Sequence, residues 1–158
     1  MIRDDWDAVS AIYLDGIATG DATFETTAPA WEQWDSSHLP VPRLVAAAEL
    51  AVIGWAALSP VSLRPVYSGL AEVSVYVAPA SRGCGVGKAL LAKLVEESEK
   101  IGIWSLQASI FPENLSSLAT HKICGFREVG TRELIARRDG IWRDTILLER
   151  RSKLPELC

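Results

Sequence analysis

The chain has little with which to build metal or disulfide chemistry. Its 158 residues include only three cysteines and two histidines. Cys84, Cys124 and Cys158 form no C-x-x-C pair, and an odd, scattered set suits reduced thiols in the cytoplasm. His38 and His121 are far apart, with no ligand spacing around either, so no metal is expected. There is no run of 18 or more apolar residues, so no membrane-spanning helix is expected. The opening "MIRDDWDAVS" has no cationic stretch leading into an apolar one, so no signal peptide is expected. Positive charge is in deficit: a net charge of −4 argues against a nucleic-acid surface, although a local basic patch remains compatible with it. Repeats and low-complexity segments are missing. So is G-x-S-x-G, which removes the nucleophile-elbow hydrolases.

What remains is ordinary globular composition, 49% hydrophobic and 23% charged, in a length that suits one domain over 1–158. The most informative stretch is "SRGCGVGKALL", residues 81–91. Glycine at that density costs backbone entropy. A glycine loop that opens a helix suits an anion, because the first-turn N–H groups are unpaired and the macrodipole is positive there. A Walker A loop fails: Arg82 stands at its leading glycine and Ala89 follows Lys88. A dinucleotide fingerprint also fails. Lys88 fills the third glycine position, and the next apolar run, "IWSLQASIF", carries no acid. A glycine turn with no ligand is the competing reading.

Periodicity predicts a helix over about 4–19 and a short one around Trp31 and Trp34. "LVAAAEL" and "AVIGWAALS" read as a strand hairpin with Glu49 near the turn, and "VSLRPVYSG" as a loop. "AEVSVYVAP" alternates: Val73, Val75 and Val77 on one face, Ser74 and Tyr76 on the other. A helix follows from about 85 to 101, closed by Gly102; then come strand "IWSLQASIF" and helix "PENLSSLATHKICG". Two last strands meet at Asp139-Gly140, a strong hairpin signal. The order predicts a mixed α/β domain.

Arg82-Gly83-Cys84-Gly85-Val86-Gly87 resembles the R/Q-x-x-G-x-G/A signature of the GCN5-related N-acetyltransferase (GNAT) superfamily. Asn114, His121 and "CGF" resemble its next motif, with histidine where many members have tyrosine. "EVSVYVAP", "FPENLSSLATHKICGF", "DGIWRDTILLERR" and "ATFET" narrow the resemblance to the branch that acetylates phosphinothricin, methionine sulfoximine and arsinothricin. It covers nearly the whole chain. It implies a mixed central sheet flanked by helices, acetyl-CoA as cosubstrate, a small amino-acid-like acceptor, and a cytoplasmic homodimer; a protein or peptide N-acetyltransferase and a catalytically silent CoA-binding module are the alternatives. One departure is that little precedes the first helix, so the family's usual first strand looks truncated or missing.

For acetyl-CoA, the resemblance implies contacts along Val75, Tyr76 and Val77. It implies others around Arg82, Gly83, Cys84, Gly85, Val86, Gly87 and Lys88, and at Asn114 and Ser117. Asn114 also reads as a plain helix N-cap. Cys84 occupies a variable position and reads as incidental. Amine acetylation needs an amine without its extra proton, and a nearby carboxylate can take that proton. Glu72 heads the "EVSVYV" strand, where the branch has its general base; a solvated strand-end glutamate is the alternative. Five strand residues span roughly 17 Å, enough for an extended pantetheine arm between base and loop. An N–H near Ser74 to Tyr76 would face the thioester carbonyl. His121 is read either as an acid for the leaving thiolate or as a cofactor contact. On the acceptor side, Arg64 could clamp a carboxylate, with Tyr67, Ser74, Phe24 and Glu25 beside it. Trp142, Arg143 and Asp144 are expected at the pocket or at a dimer interface.

Overall fold

The computed structural model describes residues 1–49 and 51–157. Six strands form one sheet in the order β1-β2-β3-β4-β6-β5. They are β1 Arg43–Ala48, β2 Ala51–Pro60, β3 Leu70–Val77, β4 Ser105–Ile110, β5 Arg127–Arg138 and β6 Ile141–Arg151. Only β3 and β4 run parallel, and α3 (Val86–Lys100) makes the crossover between them.

The helices cover both faces because each buries one stripe. On α1 (Trp6–Ala18) the buried positions Val9, Ile12, Tyr13 and Ile17 follow helical spacing. With Trp34 of α2 (Trp31–Ser37) they pack on Trp55 and Ala57. On the other face, Leu90, Leu91, Leu94 and Val95 of α3 pack with Leu118 of α4 (Leu115–Ile123) on Val73, Leu106, Ala108 and Leu148. The expected alternation in β3 holds: Val73 is in this second core, while Tyr76 stacks on Trp55 beneath α1.

Other expectations need adjustment. The first helix begins as a 3₁₀ turn at Arg3–Asp5, and the loop before β3 contains another at Pro65–Tyr67. The β1–β2 hairpin forms, although Leu50 at its turn lies outside the described residues. Among the described residues no strand precedes Arg43. Instead the Met1 amine donates to the Arg43 carbonyl at 2.9 Å, beside the edge strand. Asp139 and Gly140 both take positive φ, +50° and +81°, as a two-residue hairpin turn requires.

The consequential feature is a divergence. β3 and β4 pair only at Leu70–Ser105, Ala71–Leu106 and Glu72–Gln107. Beyond Glu72 the strands part, although β3 continues to Val77 and β4 to Ile110. A gap therefore opens at the carboxyl ends of the two parallel strands, the general position for ligands in such sheets.

Candidate active site

A cleft of about 970 Å³ fills this gap. One wall is β3 from Glu72 to Val77; the other is Ala108 to Phe111 with the start of α4; its end is the loop and first turn of α3.

The exposed edge of β3 is unpaired backbone. The Ala78 N–H donates to the Ile53 carbonyl at 2.9 Å. Bonded pairs alternate in an antiparallel ladder, so the N–H and C=O groups of Val75 and Val77 point away from β2, into the gap. There the Val77 carbonyl accepts from Arg82 Nε at 3.1 Å, which ties the arginine across the loop.

The loop itself is built for an anion. Gly83 and Gly85 have φ of +75° and +83°, and a Cβ on either would meet nothing within 4 Å. Among the described residues, no acceptor is found for the backbone N–H groups of residues 83–88. Unpaired donors, a helix N-terminus, and Arg82 and Lys88 on the cleft wall fit the pyrophosphate of acetyl-CoA. The Cys84 side chain is not part of the lining, and its thiol donates to the Arg82 carbonyl at 3.6 Å.

Glu72 lies on the cleft wall where the strands part, and its Oε2 accepts from Gln107 Nε2 at 2.9 Å. Ser74 and Tyr76 follow on the same face of β3. Burial pushes the Tyr76 phenol far above its ordinary pKa, so it stays neutral. Phe24 and Glu25 also line the cleft, and Phe24 packs edge-on to Phe111 with ring centroids 4.7 Å apart.

Asn114 caps α4: its Oδ1 accepts from the Ser117 N–H at 3.1 Å, while Nδ2 donates to the Asp21 carbonyl at 3.1 Å. Both ends of the amide thus serve the scaffold. His121 is 5% exposed, and its Nδ1 lies 2.8 Å from the Ser117 carbonyl. A carbonyl only accepts, so Nδ1 carries the proton. Burial pushes the ring pKa below its ordinary value, which leaves Nε2 bare, buried and without a partner. In this form His121 can accept a proton but has none to give at Nε2, which runs against the acid expectation.

The structure does not bring Arg64 and Tyr67 to this cleft. Arg64 is exposed, with its guanidinium 5.4 Å from the centre of the Tyr67 ring, and Tyr67 borders a separate depression near Trp104 and Gln107. The reason is that this segment enters β3 at Leu70, the end of the strand opposite the gap.

The sequence pattern does not single out Arg138, which shapes the site, whereas it does place Arg143 at the pocket or an interface. Arg138 donates to the carbonyls of Thr23 and Ile17, each at 2.7 Å. Arg143 reaches Asp21 and Glu113, each at 3.1 Å. Together with Asn114 they fasten the 17–25 segment, which lines the cleft. Asp144 lies away from the lining: its Oδ1 accepts from the Leu134 N–H at 2.8 Å and pins a bulge in β5. Trp142 is 53% exposed and stacks under Arg137. Ser109 and Thr145 line the cleft as well. Only the alternation in "IWSLQASIF" could have flagged Gln107 and Ser109 as sharing one face.

Residues 6–126 match the model of the acetyltransferase (GNAT) family. The chain belongs to that family. It is an acetyl-CoA-dependent N-acetyltransferase with the GNAT fold. It is 34% identical over 154 residues to a phosphinothricin N-acetyltransferase of Alcaligenes faecalis, covering 93% of this chain and 78% of that one. The crystal structure of a Sinorhizobium meliloti phosphinothricin acetyltransferase in complex with acetyl-CoA superposes with a TM-score of 0.86. It is 32% identical, with 96% and 85% of the two chains covered. A ribosomal-protein-alanine N-acetyltransferase structure from Brucella melitensis gives 0.87 at 32% identity, covering 96% and 97%. Among the described residues no helix is long and apolar enough to cross a membrane.

Proposed function

We propose that this acetyltransferase modifies the α-amine of a small amino-acid-like toxin of the phosphinothricin, methionine sulfoximine or arsinothricin type, and so confers resistance, to arsenic in the last case. The observation that carries the reading is the position of Glu72, on the cleft wall where β3 leaves β4, one strand length from the glycine loop. The acyl group comes from acetyl-CoA as a thioester.

The chain's own groups divide the work. Amides of residues 83–88, with Arg82 and Lys88, hold the pyrophosphate. The open edge of β3 at Val75 and Val77 holds the pantetheine arm. The Val75 N–H meets the thioester oxygen, where negative charge develops. Glu72 accepts the ammonium proton, directly or through one water. The amine nitrogen then bonds to the acyl carbon, the carbon–sulfur bond breaks, the thiolate departs, and the second nitrogen proton passes to the thiolate or to water, leaving a neutral amide. His121 borders the cleft with a neutral ring whose Nε2 is buried. Thiolates leave readily without an acid, so none is required.

The reading includes action in the cytoplasm, in keeping with the free thiols of Cys84 and Cys124. It also includes a homodimer, supported by the exposed apolar side chains Leu134, Ile135, Ile141 and Trp142 on the last hairpin. Likeness to the ribosomal-protein-alanine enzyme favours a second reading, acetylation of a peptide N-terminus. The fastened 17–25 segment, which hems in the acceptor end, favours the smaller substrate. The test is CoA-thiol release from acetyl-CoA with the three toxins, ordinary amino acids and alanine-terminated peptides. Turnover of one or more toxins supports the reading. Turnover of peptides alone overturns it.

A further inference from the structure

An amino-acid acceptor brings a carboxylate, and the cleft must answer its charge. The acceptor end is itself acidic, with Asp21, Glu25, Glu72 and Glu113 on its walls. The cations lining the cleft, Arg82 and Lys88, sit at the phosphate loop. Arg138 and Arg143 are spent on the 17–25 segment. Arg64 lies elsewhere.

One guanidinium remains near. Arg132 of β5 is exposed, and its Nη1 donates to Ser109 Oγ at 3.4 Å. Ser109 is a cleft residue two positions beyond Gln107, on the same face of β4. Among the described residues Arg132 makes no ion pair; its charge is uncompensated.

A second observation falls at the same place. Thr145 stands directly across from Arg132 in the β5–β6 ladder and lines the cleft. It is 2% exposed, and its Oγ1 has no hydrogen-bond partner. A buried hydroxyl without a partner is costly, so the site is incomplete as it stands. Immediately after Arg132 the register breaks: residues 133–135 bulge out, pinned by Asp144 on the Leu134 N–H. Bulges of this kind re-aim neighbouring side chains and recur beside active sites.

We propose that Arg132, with the hydroxyls of Ser109 and Thr145, binds the carboxylate of the acceptor amino acid while its amine meets Glu72. The span is right. Gln107, which holds Glu72, and Ser109 are about 7 Å apart along the strand. An α-amino acid held by a hydrogen bond at each end reaches roughly 8–9 Å. The inference rests on the amino-acid reading of the substrate and names the residues that would select for it.

The test measures kcat and KM for phosphinothricin, methionine sulfoximine and the decarboxylated amine of phosphinothricin, in the wild type, Arg132→Leu, Arg132→Lys and Thr145→Val. Wild-type turnover reports on the amino-acid reading; if neither these two amino acids nor arsinothricin is acetylated, that reading fails and this inference with it. Given wild-type turnover, Arg132→Leu should raise KM for the amino acids roughly ten- to a hundredfold. Its kcat should change by less than about threefold. Arg132→Lys should restore part of the affinity, and Thr145→Val should raise KM more modestly. The decarboxylated amine should be nearly indifferent to all three. Arg132 is exposed, so the variants should fold. An unchanged KM in Arg132→Leu, or an equal loss toward the decarboxylated amine, overturns the assignment.

Discussion

Gln107 holds Glu72. The amide Nε2 donates to the carboxylate Oε2 at 2.9 Å across the last paired rung of β3 and β4. The bond uses one carboxylate oxygen of a residue that lines the cleft. Gln107→Leu should therefore lower kcat by about tenfold while acetyl-CoA affinity stays within error. Steady-state kinetics beside a cofactor titration check this; an equal loss of cofactor affinity would show that Gln107 shapes the cleft at large.

The glycine loop makes a separate prediction. Acetyl-CoA at a hundred times its Kd should stabilise the native state by about 2.7 kcal/mol, and NAD and ATP should not. Gly85→Val should abolish this gain. Its Cβ and methyls enter space that the glycine leaves open, and φ of +83° strains any β-branched residue. The variant should still fold, with lower stability. Melting curves with and without acetyl-CoA read both effects, and a full ligand shift in Gly85→Val would refute the cradle.

Asn114 separates cap from latch. Asn114→Ala loses both bonds and should cost about 1–2 kcal/mol of stability. Asn114→Asp keeps the Oδ1 acceptor that caps α4 but loses the Nδ2 donor to the Asp21 carbonyl. It should retain most of the stability yet speed amide exchange in residues 19–25. Exchange measured by mass spectrometry tests this; equal exchange in both proteins would mean the latch rests on Arg138 and Arg143 alone.

Burial lowers the pKa of both His121 and His38 below the ordinary 6.5. The unfolded chain then binds protons that the native state refuses. The stabilisation is present above pH 6.5 and is lost as pH falls through the folded values. Melting temperature should fall between pH 7 and pH 5, before the carboxylates titrate. His121→Gln should flatten that slope. An unchanged slope in the variant would assign the loss to other groups.

Local pattern carried much of this molecule. The alternation of "EVSVYVAP" and the glycine loop after it located one wall and one end of the cleft, and Asn114 declared its cap three residues ahead of the amide it binds. The acceptor side was harder to read, for a physical reason. Gln107 meets Glu72 across 35 positions of sequence, and Arg138 meets Ile17 across 121. Such pairings follow from strand order and register, which no local spacing encodes. Arg64 shows the reverse error: it is near Glu72 in sequence, yet it precedes the end of β3 that lies opposite the gap. The bulge that sets off Arg132 depends on Asp144 in the partner strand, and the letters "TRELIARR" look like an uninterrupted strand.

The central claim is that Glu72 takes the proton from the acceptor amine. The most direct measurement is the pH dependence of kcat for Glu72→Gln with the toxin that the wild type acetylates best. The variant keeps the shape and polarity of the side chain but cannot accept a proton. Its kcat should fall by roughly 10²–10⁴ near neutral pH. Part of the rate should return at high pH, where more amine is already neutral, and acetyl-CoA binding should be unaltered. A Glu72→Gln enzyme with wild-type rates from about pH 6 to 9 would contradict the account.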